Sequence, residues 1–168
     1  GHPGALGVTE RMGEVFTALF LDGAAAGMAP ITALALFNEY RELTPSGAEG
    51  ERMVLALAER LMAADLLNQA STLLDHQVRY RLAGEERAYA GTLLAETHLA
   101  QGRPEDALIA LRASVASGLG RLLTDRRTRL QARALLDVGD MVRSRALLVG
   151  DHSEEAEILR AEISWRAT

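Results

Sequence analysis

The sequence predicts an all-α protein built from repeated pairs of antiparallel helices, and its composition and its internal spacing both support this class. Apolar residues make up 48% of the 168 residues, whereas aromatic residues make up 4%. The core must therefore consist mainly of Leu, Ala, Val and Met, which pack well between closely spaced helices. A chain of this length also suits a single domain.

Residues of matching character recur at steps of 37 positions along the chain. One set consists of the small residues Ala33, Ala70, Ala107 and Ser144. A second set consists of the large apolar residues Phe37, Leu74, Leu111 and Leu148. The turn-compatible residues are Asp65, Gly102 and Gly139, with the less typical Met28 before them. The spacing predicts a helical hairpin repeated about four times, with a small residue facing the partner helix.

The stretch GRPEDALIAL, Gly102 to Leu111, shows how such a hairpin turns. Gly102 can end the preceding helix in a left-handed conformation, and Pro104 suits the first turn of the next helix. Glu105 and Asp106 complement the helix dipole there and would repel a phosphate. Because all 18 basic residues are Arg, a lysine-dependent phosphate loop is also excluded.

Helix start and stop signals set the predicted boundaries. The predicted helices cover residues 10–22, 30–43, 49–64, 66–82, 85–101, 104–117, 122–138, 140–149 and 153–166. The first eight form four antiparallel pairs and the ninth is a C-terminal helix with Ser153 as its cap. Residues 1–9 are interpreted as a tail or cloning remnant, and residues 10–168 as one repeat domain of a longer protein.

The segment LAETHLAQGRPEDALIAL resembles a tetratricopeptide repeat, with Leu94 and Ala95 on the first helix, Gly102 at the turn, and Ala107 and Leu111 on the second. ALALFNEYRELTP and GDMVRSRALL are similar to second helices of this family. The resemblance covers most of residues 14 to 149. LFNEYRELTP and LLDHQVRYRL are also similar to segments of large alphaproteobacterial tetratricopeptide proteins with roles in the cell envelope.

Two features depart from the family pattern. The step of 37 residues exceeds the family's usual period of about 34. The family's tryptophan is replaced at the aligned positions, by Gly91 for example, and Trp165 falls in that register near the end of the sequence. The protein is therefore interpreted as a divergent member of a tetratricopeptide-like class.

The resemblance implies a right-handed superhelix, a solenoid, whose concave groove is lined by the first helix of each pair and binds a peptide or protein. The groove-facing positions that it implies are Asp22, Arg52, Leu55, Glu59, Met62, Tyr89, Thr92, Glu96, Leu99, Arg126, Arg129, Arg133 and Leu136.

A run of basic residues stands out on the first helix of the fourth pair. Five Arg and one Asp lie between Arg121 and Arg133, and Arg126, Arg129 and Arg133 are spaced to share one helix face. This arginine stripe could clamp a carboxylate of a partner. Alternatively, it is a solvated face that pairs with neighbouring acids such as Glu96.

Composition and motifs narrow the other possibilities. The net charge of −5 disfavours general nucleic-acid binding, and no apolar run is long enough to predict membrane insertion. His76, His98 and His152 lack metal-ligand spacing, and no catalytic constellation or cofactor motif is found. The absence of Cys leaves a cytoplasmic or a periplasmic location open.

The sequence therefore predicts a non-enzymatic interaction scaffold without a cofactor, which binds a protein or peptide partner in its groove. The alternative is a structural spacer or oligomerisation segment of a longer solenoid. Residues 15–37 are apolar on more than one face, so this N-terminal helix pair is expected to be covered by another repeat, a second copy or a partner.

Overall fold

A computed structural model describes residues 3–21 and 27–168, and its regular structure over these residues is helical without strands. The helices are α1 (Pro3–Leu21), α2 (Pro30–Glu39), α3 (Ala48–Ala63), α4 (Leu67–His76), α5 (Gly84–Ala100), α6 (Pro104–Ala113), α7 (Arg121–Asp137), α8 (Met141–Leu147) and α9 (Glu154–Arg166). A 3-10 turn at Arg41–Leu43 follows α2, and a π-helical turn at Gln77–Arg81 follows α4. The all-α class is thus confirmed for the described residues.

Most helices begin and end close to their predicted boundaries, and two differences have a local cause. Helix α1 begins at Pro3 rather than at residue 10, because proline is well accommodated in the first helical turn. Helix α6 ends at Ala113 rather than at residue 117. Its C-cap residue Ser114 turns its hydroxyl back and donates a hydrogen bond to the Ala110 carbonyl at 2.8 Å.

The three turn positions identified from the spacing share one backbone geometry. Asp65, Gly102 and Gly139 have φ angles of 60°, 71° and 90°. At each turn the amide that follows donates to a carbonyl five residues earlier: Leu66 to Leu61 at 2.9 Å, Arg103 to His98 at 2.8 Å, and Asp140 to Leu135 at 2.8 Å. This is the Schellman arrangement that ends a helix through a left-handed residue. The prediction that these positions are turns is confirmed.

The residues that recur at the 37-residue step are buried in the structure. Ala33, Ala70, Ala107 and Ser144 have no exposed surface. Phe37, Leu74, Leu111 and Leu148 are at most 6% exposed. In the α7–α8 pair, the small residue makes a direct contact between helices, because the Ser144 hydroxyl donates to the Ala132 carbonyl at 2.7 Å.

The chain divides into two compact units, a first that ends at Leu73 and a second from Leu74 to Thr168. In the first unit, α1 and α2 both pack against α3. Met53, Leu57 and Leu61 of α3 are almost completely buried. Arg60 of α3 also donates to the Met28 carbonyl at 2.6 Å, which ties α3 to the segment before α2.

In the second unit, α5 packs against α6 and α7, and α7 packs against α8 and α9. One part of the core is formed by buried residues of α7, of α9 and of the end of α8. These residues are Ala132, Leu136, Leu148, Ala156, Leu159 and Ile163. Burial of this apolar surface fixes the rotation of α7 and α9 and so determines which of their polar side chains face outward.

Candidate functional site

The polar faces of α5 and α7 meet in a cluster of three residues that the sequence placed in the groove: Tyr89, Glu96 and Arg126. We call this the Arg126 cluster. Arg126 donates from Nε and Nη2 to the two carboxylate oxygens of Glu96, at 2.6 and 2.8 Å. Its guanidinium carbon also lies 6.0 Å from the centre of the Tyr89 ring. The Arg126 and Glu96 side chains keep 41% and 26% of their surface exposed.

The other two arginines of the stripe are also held by carboxylates, each on a different element. Arg129 contacts Asp151 at 2.8 Å, and Arg133 contacts Glu162 of α9 at 2.7 Å. Arg166 lies 3.5 Å from Asp137 and joins the same α7–α9 network. The sequence left two interpretations of the arginine stripe open: a clamp for a ligand carboxylate, or a face paired with neighbouring acids. The ion pairs favour the second interpretation, because a ligand carboxylate would have to displace an existing partner.

These contacts shift the pKa values of the groups involved. The hydrogen bond from Arg126 to Glu96 raises the pKa of Arg126. Burial alone would raise the pKa of Glu162, but Arg133 and Arg166 together lower it below its ordinary value. Hydrogen bonds from Ser153 and Arg129 hold the pKa of Asp151 well below its ordinary value. All three residues are thus charged at neutral pH, as the ion pairs require.

Asp151 should make the stability of the chain depend on pH. A carboxylate whose folded pKa is depressed stabilises the fold above its unfolded pKa of about 3.9, and this contribution is lost as pH falls toward the folded pKa. We expect Asp151→Asn to lower the free energy of unfolding at pH 7, with a smaller difference from the parent below about pH 4. Urea unfolding at pH 7 and at pH values from about 4 down to about 2 measures both differences. A difference of constant size would contradict the assigned role of the carboxylate.

The remaining predicted groove positions divide between accessible and buried residues. Arg52 and Glu59 lie exposed on α3 in the first unit, and Met62 and Leu99 are half-buried. Leu55, Thr92 and Leu136 were also expected to face the groove, but they are 9%, 0% and 1% exposed. That expectation was wrong for these three, because the helices are rotated so that these side chains enter the core. Asp22 lies outside the described residues.

Arg127, which the sequence did not single out, makes four hydrogen bonds to other helices and their ends. Its Nη1 donates to the Ala88 carbonyl at 2.7 Å and to the hydroxyls of Thr92 and Ser114, both at 3.1 Å. Its Nη2 donates to the Leu111 carbonyl at 2.9 Å. Arg127 therefore joins α7 to α5 and to the end of α6. Burial lowers the pKa of this guanidinium.

The small size of Gly91 makes room for this arrangement. A Cβ atom built on Gly91 would lie 1.9 Å from the Ser114 hydroxyl oxygen and 2.3 Å from the Ser114 Cβ. Helix α5 therefore approaches the end of α6 more closely than any other residue type permits. The sequence signal for this contact was a glycine within a predicted helix, at a position where the resemblance to tetratricopeptide repeats implied a tryptophan.

Two further features are absent from the described part of the chain. No group of three or more His, Cys, Asp or Glu side chains in residues 3–21 and 27–168 is placed to hold a metal ion. Among the described helices, none is long and apolar enough to cross a membrane.

Comparison with known proteins gives no match: no protein-family model matches the chain, and no curated protein or solved structure is significantly similar to it. Function is therefore inferred from the geometry of the described residues.

Proposed function

We propose that the chain is a protein-interaction scaffold that binds a peptide or protein partner through the first helices of its hairpins. The Arg126 cluster is the observation that supports this proposal. It brings an aromatic ring, a carboxylate and a guanidinium from two helices to one accessible position. Tyr and Arg are enriched among the residues that dominate binding energy at protein interfaces.

The position of Arg126 leaves part of its side chain accessible to a partner. Glu96 accepts from Nε and Nη2, and 41% of the Arg126 side chain remains exposed. The bidentate pair and the Tyr89 ring also restrain the long side chain before binding. Restraint of this kind lowers the entropy lost when a complex forms.

The wider architecture in this proposal is a right-handed superhelix of tetratricopeptide-like helix pairs, with the first helices on its concave side. The recurring left-handed turns at Asp65, Gly102 and Gly139 support it, since similar hairpins stack into superhelices. Arg129 and Arg133 of α7 are proposed to belong to the same binding face as the Arg126 cluster, and Arg52 and Glu59 of α3 to a binding face of the first unit. With a net charge of −5, the expected partner is a protein rather than a nucleic acid.

No catalytic reaction or cofactor is part of this proposal. The Ser114 hydroxyl donates to the Ala110 carbonyl and accepts from Arg127. These two partners hold the hydroxyl in place, and neither of them is a general base. His98 lies with Nδ1 3.1 Å from the Gln101 side-chain oxygen, within its own helix turn. These contacts give both residues a structural role.

Selection from a displayed library of random linear peptides tests the scaffold proposal. We expect enriched peptides to bind the parent at least about tenfold more tightly than Tyr89→Ala or Arg126→Gln, a difference of about 1.4 kcal/mol. The matched control is Arg121→Gln, because Arg121 lies on the same helix with 93% of its side chain exposed. Circular dichroism verifies the fold of each variant. Failure to enrich any peptide, or equal binding by all variants, would overturn the proposal.

A second candidate function is a structural segment that stacks on further helices or on a second copy. Ile158 and Trp165 of α9 are 56% and 77% exposed, and their spacing places them opposite the buried residues of that helix. Val15 of α1 is 71% exposed as well. Large contiguous apolar patches on a surface mark association sites, and Ile158 and Trp165 lie on one face of α9. Self-association of the parent in sedimentation experiments, lost in Trp165→Ser, would favour this candidate.

A further inference from the structure

A pocket of about 420 Å³ lies beside the connection between α6 and α7. We call it the α6–α7 pocket, and residues between Leu108 and Gln131 form it. Its volume falls within the range of about 300–1,000 Å³ that is usual for small-molecule sites. It does not include the residues of the Arg126 cluster, so any ligand here is independent of the proposed scaffold function.

The polar part of the pocket is cationic. Arg112 and Arg127 line it, and no Asp or Glu lies among the lining residues of this fully described stretch. The four hydrogen bonds of Arg127 all go to carbonyl or hydroxyl oxygens, which are neutral. This contrasts with Arg126, Arg129 and Arg133, each of which contacts a carboxylate. No carboxylate among the lining residues neutralises this positive charge.

The hydroxyl groups of the pocket cannot replace these cations as donors. The Thr124 hydroxyl donates to the Gly120 carbonyl, and the Thr128 hydroxyl donates to the Thr124 carbonyl. Arg127 donates once from Nη2, which leaves a second N–H on that atom. Arg112 is exposed near the end of α6 and lines the same pocket. The two guanidinium groups, with the side-chain amide of Gln131, are thus the side-chain donors that line the pocket.

The remaining walls are largely apolar. Leu108 and Leu111 of α6 and Val115, Ala116 and Leu119 of the connection line the pocket. Val115 is 75% exposed, so an apolar group placed against it would remove a substantial area from water. An anion without an apolar part would leave these walls in contact with solvent.

We propose that the α6–α7 pocket binds a small carboxylate with an apolar tail. The carboxylate pairs with Arg112 and Arg127, while the tail packs against the apolar side chains of α6 and of the connection. Carboxylate and guanidinium groups have matched charge and hydrogen-bond geometry. The burial of Arg127 strengthens its attraction for an anion, because less water screens the charge.

Titration of the full chain with sodium octanoate, followed by ¹H–¹⁵N NMR, tests this proposal. We expect shifts concentrated in residues 108–131 and at least about tenfold weaker binding of 1-octanol, which lacks the charge. Acetate, which lacks the tail, and octylamine, whose charge is reversed, should bind weakly as well. Shifts spread over the whole chain, or equal binding of octanoate and octylamine, would overturn the proposal.

Two variants locate the site without disturbing Arg127. Arg112→Glu and Val115→Glu change exposed residues of the pocket and should each weaken octanoate binding by at least about tenfold. Arg103→Glu is the matched control, because Arg103 is exposed but does not line the pocket. It should change affinity by less than about twofold, since distant surface charges are screened. If a peptide that ends in leucine bound tightly and octanoate did not, the pocket would be reassigned as a site for the C-terminus of a peptide. That result would overturn the small-ligand proposal.

Discussion

Replacement of Arg127 by Met is expected to lower the free energy of unfolding by about 2–4 kcal/mol, because hydrogen bonds from a charged donor would be lost in a protected site. The acceptors left behind are the carbonyls of Ala88 and Leu111 and the hydroxyls of Thr92 and Ser114. Thr92 and Ser114 have no exposed surface, so water cannot easily reach them. Methionine keeps much of the side-chain length, which limits the effect of a cavity.

Arg126, the residue next to Arg127, provides the control for the Arg127→Met prediction. Arg126→Met removes an ion pair with 41% and 26% of its side-chain surface exposed, and exposed pairs contribute about 0–1 kcal/mol. Urea unfolding monitored by circular dichroism compares the two variants with the parent. The structural assignment of Arg127 would be contradicted by a cost below about 0.5 kcal/mol, which is usual for a surface substitution.

The turns and the buried periodic positions could be predicted because local chemistry determines them. A glycine followed by proline and two acids contains its own signals for ending one helix and starting the next. Spacing alone likewise predicted the burial of the small residues Ala33, Ala70, Ala107 and Ser144. Helix α1 was harder to delimit, since its beginning lacks an acidic first turn.

The candidate site was less predictable because its contacts join residues far apart in the sequence. The face shared by Arg126, Arg129 and Arg133 followed from helix geometry, but their carboxylate partners depend on the helices packed beside α7. A rotation of α5 also decides that Thr92 is buried while Glu96 of the same helix remains accessible. Single-sequence periodicity does not determine such rotations.

Arg127 was missed for a related reason. It lies one residue from the stripe, so its side chain leaves α7 in a different direction and reaches α5 and α6. Two small residues, Gly91 and Ser114, were indirect sequence signals of the Arg127 contacts. They come together only in the folded chain. Gly91 lies against Ser114, and the Ser114 hydroxyl in turn accepts a hydrogen bond from Arg127. The contact between α5 and the end of α6 is therefore polar.

Gly91→Ala is expected to destabilise the chain by about 3 kcal/mol, at the upper end of the usual cost of overpacking. The added Cβ would lie 1.9 Å from the Ser114 Oγ and 2.3 Å from its Cβ, so α5 and the end of α6 would have to separate. That movement would also lengthen the hydrogen bonds of Arg127 to Thr92 and Ser114. Thermal and urea unfolding measure the loss.

Gly7→Ala is the matched control, because Gly7 also lies within a helix but a Cβ there meets nothing within 4 Å. Helix propensity alone should make that change stabilising by up to about 1 kcal/mol, so the two substitutions should have opposite signs. Ser114→Gly combined with Gly91→Ala removes both clashing atoms, and the double variant should lose less stability than the sum of the single changes. Strict additivity would mean that the Gly91–Ser114 contact does not set the spacing of α5 and α6. A loss in the double variant that is smaller than this sum would identify it as the contact that sets this spacing.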